Sequence, residues 1–224
     1  MFSVLGKNGA GKSTFFNAII GEIKSTGKRL FHQQAIENWP KRTLAKHLAV
    51  LPQSNQLSFS FTAREVVALG LIPLAIKQRQ SIRLVTDMLK LTDTHSFADR
   101  SYLSLSGGER QRIHLARVLV QLSQAEHAPL LLLDEPTSAQ DLAQQHQLLQ
   151  LTQQLCRDKN FSALLIMHDL NLSMRYSDTV GLLEQGSFTQ IGPPQHILTP
   201  DVIENQWGYR PQQVESPSGF PVFI

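Results

Sequence analysis

GKNGAGKST, from Gly6 to Thr14, satisfies the pattern G-x-x-x-x-G-K-[ST] in full. Such a run lets backbone amides curl around phosphate oxygens. Gly6, Lys7, Asn8, Gly9, Ala10 and Gly11 supply the loop, and Lys12, Ser13 and Thr14 open the helix behind it. A helix starting there adds the positive end of its dipole. Lys12 would place its charge between the β- and γ-phosphates of a nucleotide, and the Ser13 hydroxyl would bind Mg²⁺.

LLLLDEP carries a second set of functional groups. An aspartate leaving a buried strand holds Mg²⁺ directly or through water, which suits Asp134. Glu135 beside it is placed to polarise an attacking water as general base. LSLSGGERQR then repeats the first idea, because Ser106, Gly107 and Gly108 open another helix with free amides, a hydroxyl and a dipole. Ser-Gly-Gly alone is an ordinary N-cap. Two phosphate-reading helix ends in one chain suggest one nucleotide clamped between two chains. His168, at the end of the apolar run ALLIM, could donate a hydrogen bond to a γ-phosphate. Gln53, in AVLPQ, has an amide able to reach Mg²⁺ or the attacking water.

Short apolar strands must deliver these groups. FSVL (Phe2 to Leu5) runs into the glycine loop, LLLL (Leu130 to Leu133) into Asp134, and ALLIM (Ala163 to Met167) into His168. Apolar runs between helical stretches read as strands of a parallel sheet buried on both faces. The intervening helices are expected over Ser13 to Ile23, Ser106 to about Leu122, Asp141 to about Lys159 and Asn171 to Tyr176. Val180 to Gly192 reads as a hairpin turning at Gly186. The alternation implies an α/β fold with ligands outside the carboxyl ends of the strands. Phe61 to Leu105 reads instead as mostly helical, a subdomain inserted into the sheet domain. Arg210 to Ile224 is unassigned beyond a candidate terminal strand at FPVFI.

The 224 residues fit one sizeable domain, or one domain with a subdomain. With 21 basic and 18 acidic residues the chain is mildly basic, which fits either an acidic partner or a mixed solvated surface. A single cysteine, Cys156, allows no internal disulfide and points to a reducing compartment. It lies beside a leucine stripe and reads as core. VVALGLIPLAI, broken by Gly70 and Pro73, falls short of the roughly 20 apolar residues that cross a bilayer.

Taken together, these residues resemble the ATP-binding subunits of ABC transporters. The 6–14 loop, Gln53 as Q-loop, LSGGE at Leu105–Glu109, LLLLDEP, SAQD at Ser138–Asp141 as D-loop and His168 as switch histidine follow the family's order. The resemblance implies a P-loop NTPase (RecA-like) core at 1–52 and 125–224, with a helical subdomain at 53–124. It implies ATP and Mg²⁺, with Ser13, Gln53 and Asp134 around the metal and Glu135, His168 and Gln53 in catalysis. It also implies a head-to-tail homodimer on the cytoplasmic face of the inner membrane. That dimer would drive membrane permease subunits, with a periplasmic binding protein acting indirectly and no nucleic acid involved. AVLPQ, FTAREVVALG, SGGERQRIHLARVLVQL, DEPTSAQDLAQQHQ and ILTPDVIE are similar to the haem importer ATPases, with siderophore-iron and vitamin B12 importers next. A soluble ABC-type ATPase and a non-catalytic binding subunit are the rival readings.

Three departures accompany the resemblance. Gln140 stands where the family has leucine in SALD, and Lys7 replaces the usual proline. The family also has strands before the loop, with an aromatic that stacks on adenine. An upstream extension is therefore expected to tighten ATP binding.

Overall fold

The computed structural model describes every residue except 54–56, 58, 139 and 218. Ala139, inside the expected D-loop, thus lies outside the described residues. The chain begins with strand β1 (Phe2–Leu5), the glycine loop and helix α1 (Lys12–Ile20). The expected helix to Ile23 ends earlier, because Gly21 turns left-handed (φ 82°) and its N–H closes on Ala18 and Asn17 carbonyls.

Next come the small hairpin β2 (Leu30–Phe31) and β3 (Gln34–Ala35), helix α2 (Lys41–His47) and strand β4 (Leu48–Leu51). The helical segment contains α3 (Ala63–Ala68), α4 (Gln78–Leu91) and short 3₁₀ turns, and leads into α5 (Gly107–Leu122). Strand β5 (Leu130–Asp134), α6 (Leu142–Asp158), β6 (Ser162–Ile166) and α7 (Leu170–Tyr176) follow. The hairpin expected around Gly186 is β7 (Thr179–Glu184) and β8 (Ser187–Gly192). Helices α8 (Pro194–Ile197) and α9 (Pro200–Trp207) and a hairpin of β9 (Gln213–Glu215) and β10 (Pro221–Phe223) complete the chain. The terminal strand FPVFI is therefore present. The Asn171 side chain pins it, donating to the Phe223 carbonyl (3.0 Å) and accepting from the Phe223 N–H (2.8 Å).

Six strands form one sheet in the order β4-β5-β6-β1-β7-β8. The first five run parallel, and β8 is antiparallel at the edge. Alternation along the strands sorts the leucines. Leu131, Leu133, Leu165 and Leu5 join one cluster with Leu115, Leu119, Leu122, Leu148 and Leu149 of α5 and α6. Leu132 and Ile166 point to the other face, against Phe16 of α1. Leu131, Leu132 and Leu133 are all fully buried, each contributing about 2 kcal/mol by removal from water.

A separate cluster holds α3, α4 and part of α5, with Val66, Val67, Leu89 and Tyr102 in it. Helix α5 serves both clusters. Ile113, Ala116 and Val120 enter the helical one, while Leu115, Val118 and Leu119 enter the sheet one. Spacing of three and four residues puts each set on its own stripe.

Candidate functional site: the carboxyl-end edge of the sheet

Because β4, β5, β6 and β1 are parallel neighbours, their carboxyl ends open along one edge. Leu51 pairs with Leu133, Asp134 with Ile166, and Ile166 with Val4. Gln53, Glu135, His168 and Gly6 each follow within two residues of those levels. Residues distant in sequence therefore arrive side by side.

The glycine loop is shaped by its neighbours. A Cβ at Gly6 would lie 2.4 Å from the Leu183 carbonyl oxygen, so β7 passes too close for any other residue. Gly11 caps α1 at φ 100°, a left-handed conformation costly for other residues. Among the described residues no side chain caps α1, and no acid lies in its first turn, so its amides are left for an anion. The hairpin turn braces the loop from behind, with the Gly186 N–H donating to the Ala10 carbonyl (2.9 Å).

Lys12 is only 7% exposed, and its ammonium donates to the carbonyls of Gly6 (2.8 Å) and Lys7 (3.0 Å). Burial pulls its pKa down, opposed by the charges of Glu135 and Asp134. The cation is curled into the loop it would share with a phosphate. Ser13 and Thr14 are exposed in the first turn of α1.

Asp134 is half-buried. Burial first, then neighbouring Glu135, raises its pKa, against His168 and Lys12. Glu135 has φ 46°, unusual for a residue with a side chain. Its carboxylate accepts from Gln53 Nε2 at 2.6 Å and pairs with His168 Nε2 at 2.5 Å. Its N–H donates to the Ile166 carbonyl (3.2 Å), tying this turn to β6. The structure thus assembles Gln53, Glu135 and His168 into one cluster beside Asp134 and Lys12.

It does not bring Ser106, Gly107 and Gly108 to that cluster. No hydrogen bond or ion pair among the described residues joins them to it. Ser106 is engaged locally: its hydroxyl accepts from the Glu109 N–H (3.2 Å), and the Glu109 carboxylate accepts from the Ser106 N–H (2.7 Å). That amide bond holds the Glu109 carboxyl below its usual range. Ser106 and Gly107 are exposed and Gly108 is buried.

Two features escaped sequence reasoning. The Gly186 turn was legible as a turn, but nothing in the sequence located it behind the glycine loop. The burial of Gln140 is the other: the sequence marked it only as a departure, and at 8% exposed its side-chain amide makes no hydrogen bond among the described residues. Lys7 is exposed.

A family model described as ABC transporter matches residues 1–138. The hemin import ATP-binding protein HmuV of Shewanella denitrificans is 47% identical over 99% of this chain and 88% of its own length. The HmuV protein of Vibrio cholerae is 46% identical over 93% of this chain and 80% of its own. Among solved structures, an inward-facing ABC transporter superposes with TM-score 0.82 at 26% identity, covering 100% of this chain and 86% of the other. The cbiO1 protein of Clostridium perfringens, part of the transporter complex cbiONQ, gives 0.77 at 26% identity, covering 92% and 84%.

Proposed function

This chain belongs to the ABC transporter family, and on that premise we propose that it is the ATPase subunit that powers import of haem. The observation that carries the chemistry is the convergence of Lys12, Asp134, Glu135, Gln53 and His168 on one sheet edge. The cargo rests on the relatives, whose names specify hemin import.

The residues fit a nucleotide and a hard cation. The cradle admits no Cβ at Gly6, the amides at the start of α1 are uncapped, and a buried cation lies within the loop. The phosphates of ATP would lie in the 6–14 loop, among the amides of Gly6, Lys7, Asn8, Gly9, Ala10 and Gly11 and the groups of Lys12, Ser13 and Thr14. Ser13, Gln53 and Asp134 offer oxygen donors suited to Mg²⁺, which supplies charge neutralisation at the γ-phosphate.

Glu135 takes the proton of the attacking water. Of about four lone-pair sites on its carboxylate, Gln53 and His168 use two, leaving acceptor capacity for that water. His168 holds the carboxylate in place and is positioned to report loss of the γ-phosphate. Lys12 stabilises charge on the transferring group in a partly desolvated setting.

Ser106, Gly107 and Gly108 contact nucleotide only in a second copy of the chain, placed head to tail. ATP favours the closed pair because both copies touch it, and hydrolysis removes that preference. We read 1–52 and 125–224 as the nucleotide-binding core and 53–124 as the helical subdomain, with α5 connecting them. The Gln53 segment and the helical subdomain receive the permease. No helix among the described residues is long and apolar enough to cross a membrane. We read the subunit, from its family, as lying on the cytoplasmic face of the inner membrane, held there by permease subunits, with a periplasmic binding protein acting through them.

Vesicles carrying the permease and this subunit test the reading. Haem uptake should require ATP, and Glu135→Gln should stop both hydrolysis and uptake while ATP still binds. Uptake of siderophore iron or vitamin B12 in place of haem would move the cargo to those classes. ATP turnover with no permease association would favour a soluble ATPase.

A further inference from the structure

At the opposite, amino-end edge of the sheet lies a cluster of histidines that the ATP site does not use. His47 of α2 is 1% exposed. Its Nδ1 donates to the Thr43 carbonyl (2.8 Å), so Nε2 is the acceptor for the backbone N–H groups of Glu126 (3.0 Å) and His127 (3.3 Å). This clamp fixes the backbone beneath His127. The exposed His127 imidazole makes no hydrogen bond among the described residues. Its ring centroid lies 5.5 Å from that of His32 and 5.7 Å from that of His47. His32, in the β2–β3 turn, is itself held by donation from Nε2 to the Ala128 carbonyl (2.9 Å).

His32 and His127 border a groove of about 720 Å³. Ligand sites fall at roughly 300–1,000 Å³. Leu91, Leu119, Leu122, Leu155 and Phe161 make its walls apolar, and the cation of Lys159 stands at its rim. Pro129 and Phe161, also in the lining, lead into β5 and β6. The groove is therefore separated from Asp134 by the length of β5, roughly 16 Å.

The chemistry narrows the ligand. No group of three His, Cys, Asp or Glu among the described residues could hold a metal ion, so a bare cation finds too few donors here. A metal that brings its own ring of nitrogens needs only an axial imidazole. Apolar walls suit a flat macrocycle, and Lys159 suits its carboxylates. We propose that this groove binds an iron porphyrin, with His127 as axial ligand. The choice of porphyrin rests on the haem-import reading. The site would let the ATPase register delivered cargo, since its walls come from α4 and α5 on one side and α6 on the other. A ligand there contacts the helical unit and the core at once and biases their arrangement.

Hemin titrated into the purified full chain, followed by absorbance, decides the matter. Wild type and the control His196→Ala should show a saturable one-to-one Soret shift of histidine-ligated iron. His127→Ala, with its fold checked by circular dichroism, should lose affinity about tenfold or more, and Lys159→Glu a few-fold. A saturating non-hydrolysable ATP analogue should leave the titration in place. Identical curves for all four proteins, non-saturating uptake, or displacement by the analogue would overturn the proposal. Vesicles that import haem alongside an ATPase with no His127-dependent band would overturn the groove alone. A His127-dependent band alongside vesicles that import only another chelate would overturn the import reading and leave the ligation standing.

Discussion

Two helix N-termini in this protein share the glycine-rich sequence of an anion site, yet they are built differently. The start of α1 has a left-handed glycine as its cap, no side-chain partner and no acid in its first turn, with a buried lysine alongside. The start of α5 is already closed by its own chain, through the reciprocal bonds of Ser106 and Glu109. The first end is open within one molecule. The second is satisfied in the single chain, and in the proposed head-to-tail pair a phosphate brought by another copy would work through the amides that remain. Function and stability are thus divided differently at the two ends. Changes at α1 should act on nucleotide chemistry with little effect on folding, while changes around α5 should also lower stability.

The largest expected effect is on hydrolysis. Glu135→Gln should slow ATP turnover by about 10²–10⁴-fold, the range for loss of a general base, with melting temperature nearly unchanged. Single-turnover kinetics measure it, and turnover within about threefold of wild type would remove Glu135 as base. Lys12→Ala should cost about 10²-fold or more in ATP turnover through loss of phosphate charge stabilisation. Its thermal stability should hold or rise, because a desolvated cation is removed. A clear fall in melting temperature would mean that the α1 end is as structural as the α5 end, and would break the contrast.

The α5 side is tested by pH. His114 on that helix bonds the Tyr102 hydroxyl (2.9 Å), has no partner at Nδ1 among the described residues, and burial lowers its pKa from 6.5 to about 3. Between those values the unfolded chain binds a proton that the folded chain refuses, so stability falls as pH falls below 6.5 and stops falling near 3. Acidification from pH 7 to 5 should cost about 2 kcal/mol through this group. Denaturant melts at both pH values for wild type and His114→Gln check it, and the variant should show a shallower loss. An unchanged slope would discharge His114. Smallest is Ser106→Ala, which removes the cap and should cost about 1 kcal/mol, a shift of roughly 2–4 °C. No shift would mean that the reciprocal bonds contribute nothing in solution.

The α1 site was legible because its residues are contiguous and chemically restrictive. Gly6 through Thr14 state their requirement in nine neighbouring letters. Asp134 and His168 were legible as polar residues ending apolar runs. The strand LAVL, only four residues long, and helix α2, short and rich in basic residues, gave weaker signals, and the β2–β3 hairpin turns at His32 and Gln33 (φ 48° and 63°) without a glycine. The early stop of α1 was written in Gly21, but the apolar Ile23 beyond it disguised the end. The histidine cluster carried no local signal, since His32, His47 and His127 come from three separate segments.

What the sequence determined by itself is the chemistry available: a glycine-rich loop with its lysine, a pair of carboxylates after one apolar run, a histidine after another and a family order, all set by residue type and short spacing. What only the tertiary structure decided is which groups meet. Gln53 and His168 close on Glu135 across 82 and 33 residues. Gly186 braces Ala10, and the 106–108 helix tip stays apart from all of them. The reason is that parallel pairing aligns the ends of strands far apart in the chain. That register is fixed by burial of leucines on two faces of a sheet, a cooperative property that no local run of residues contains.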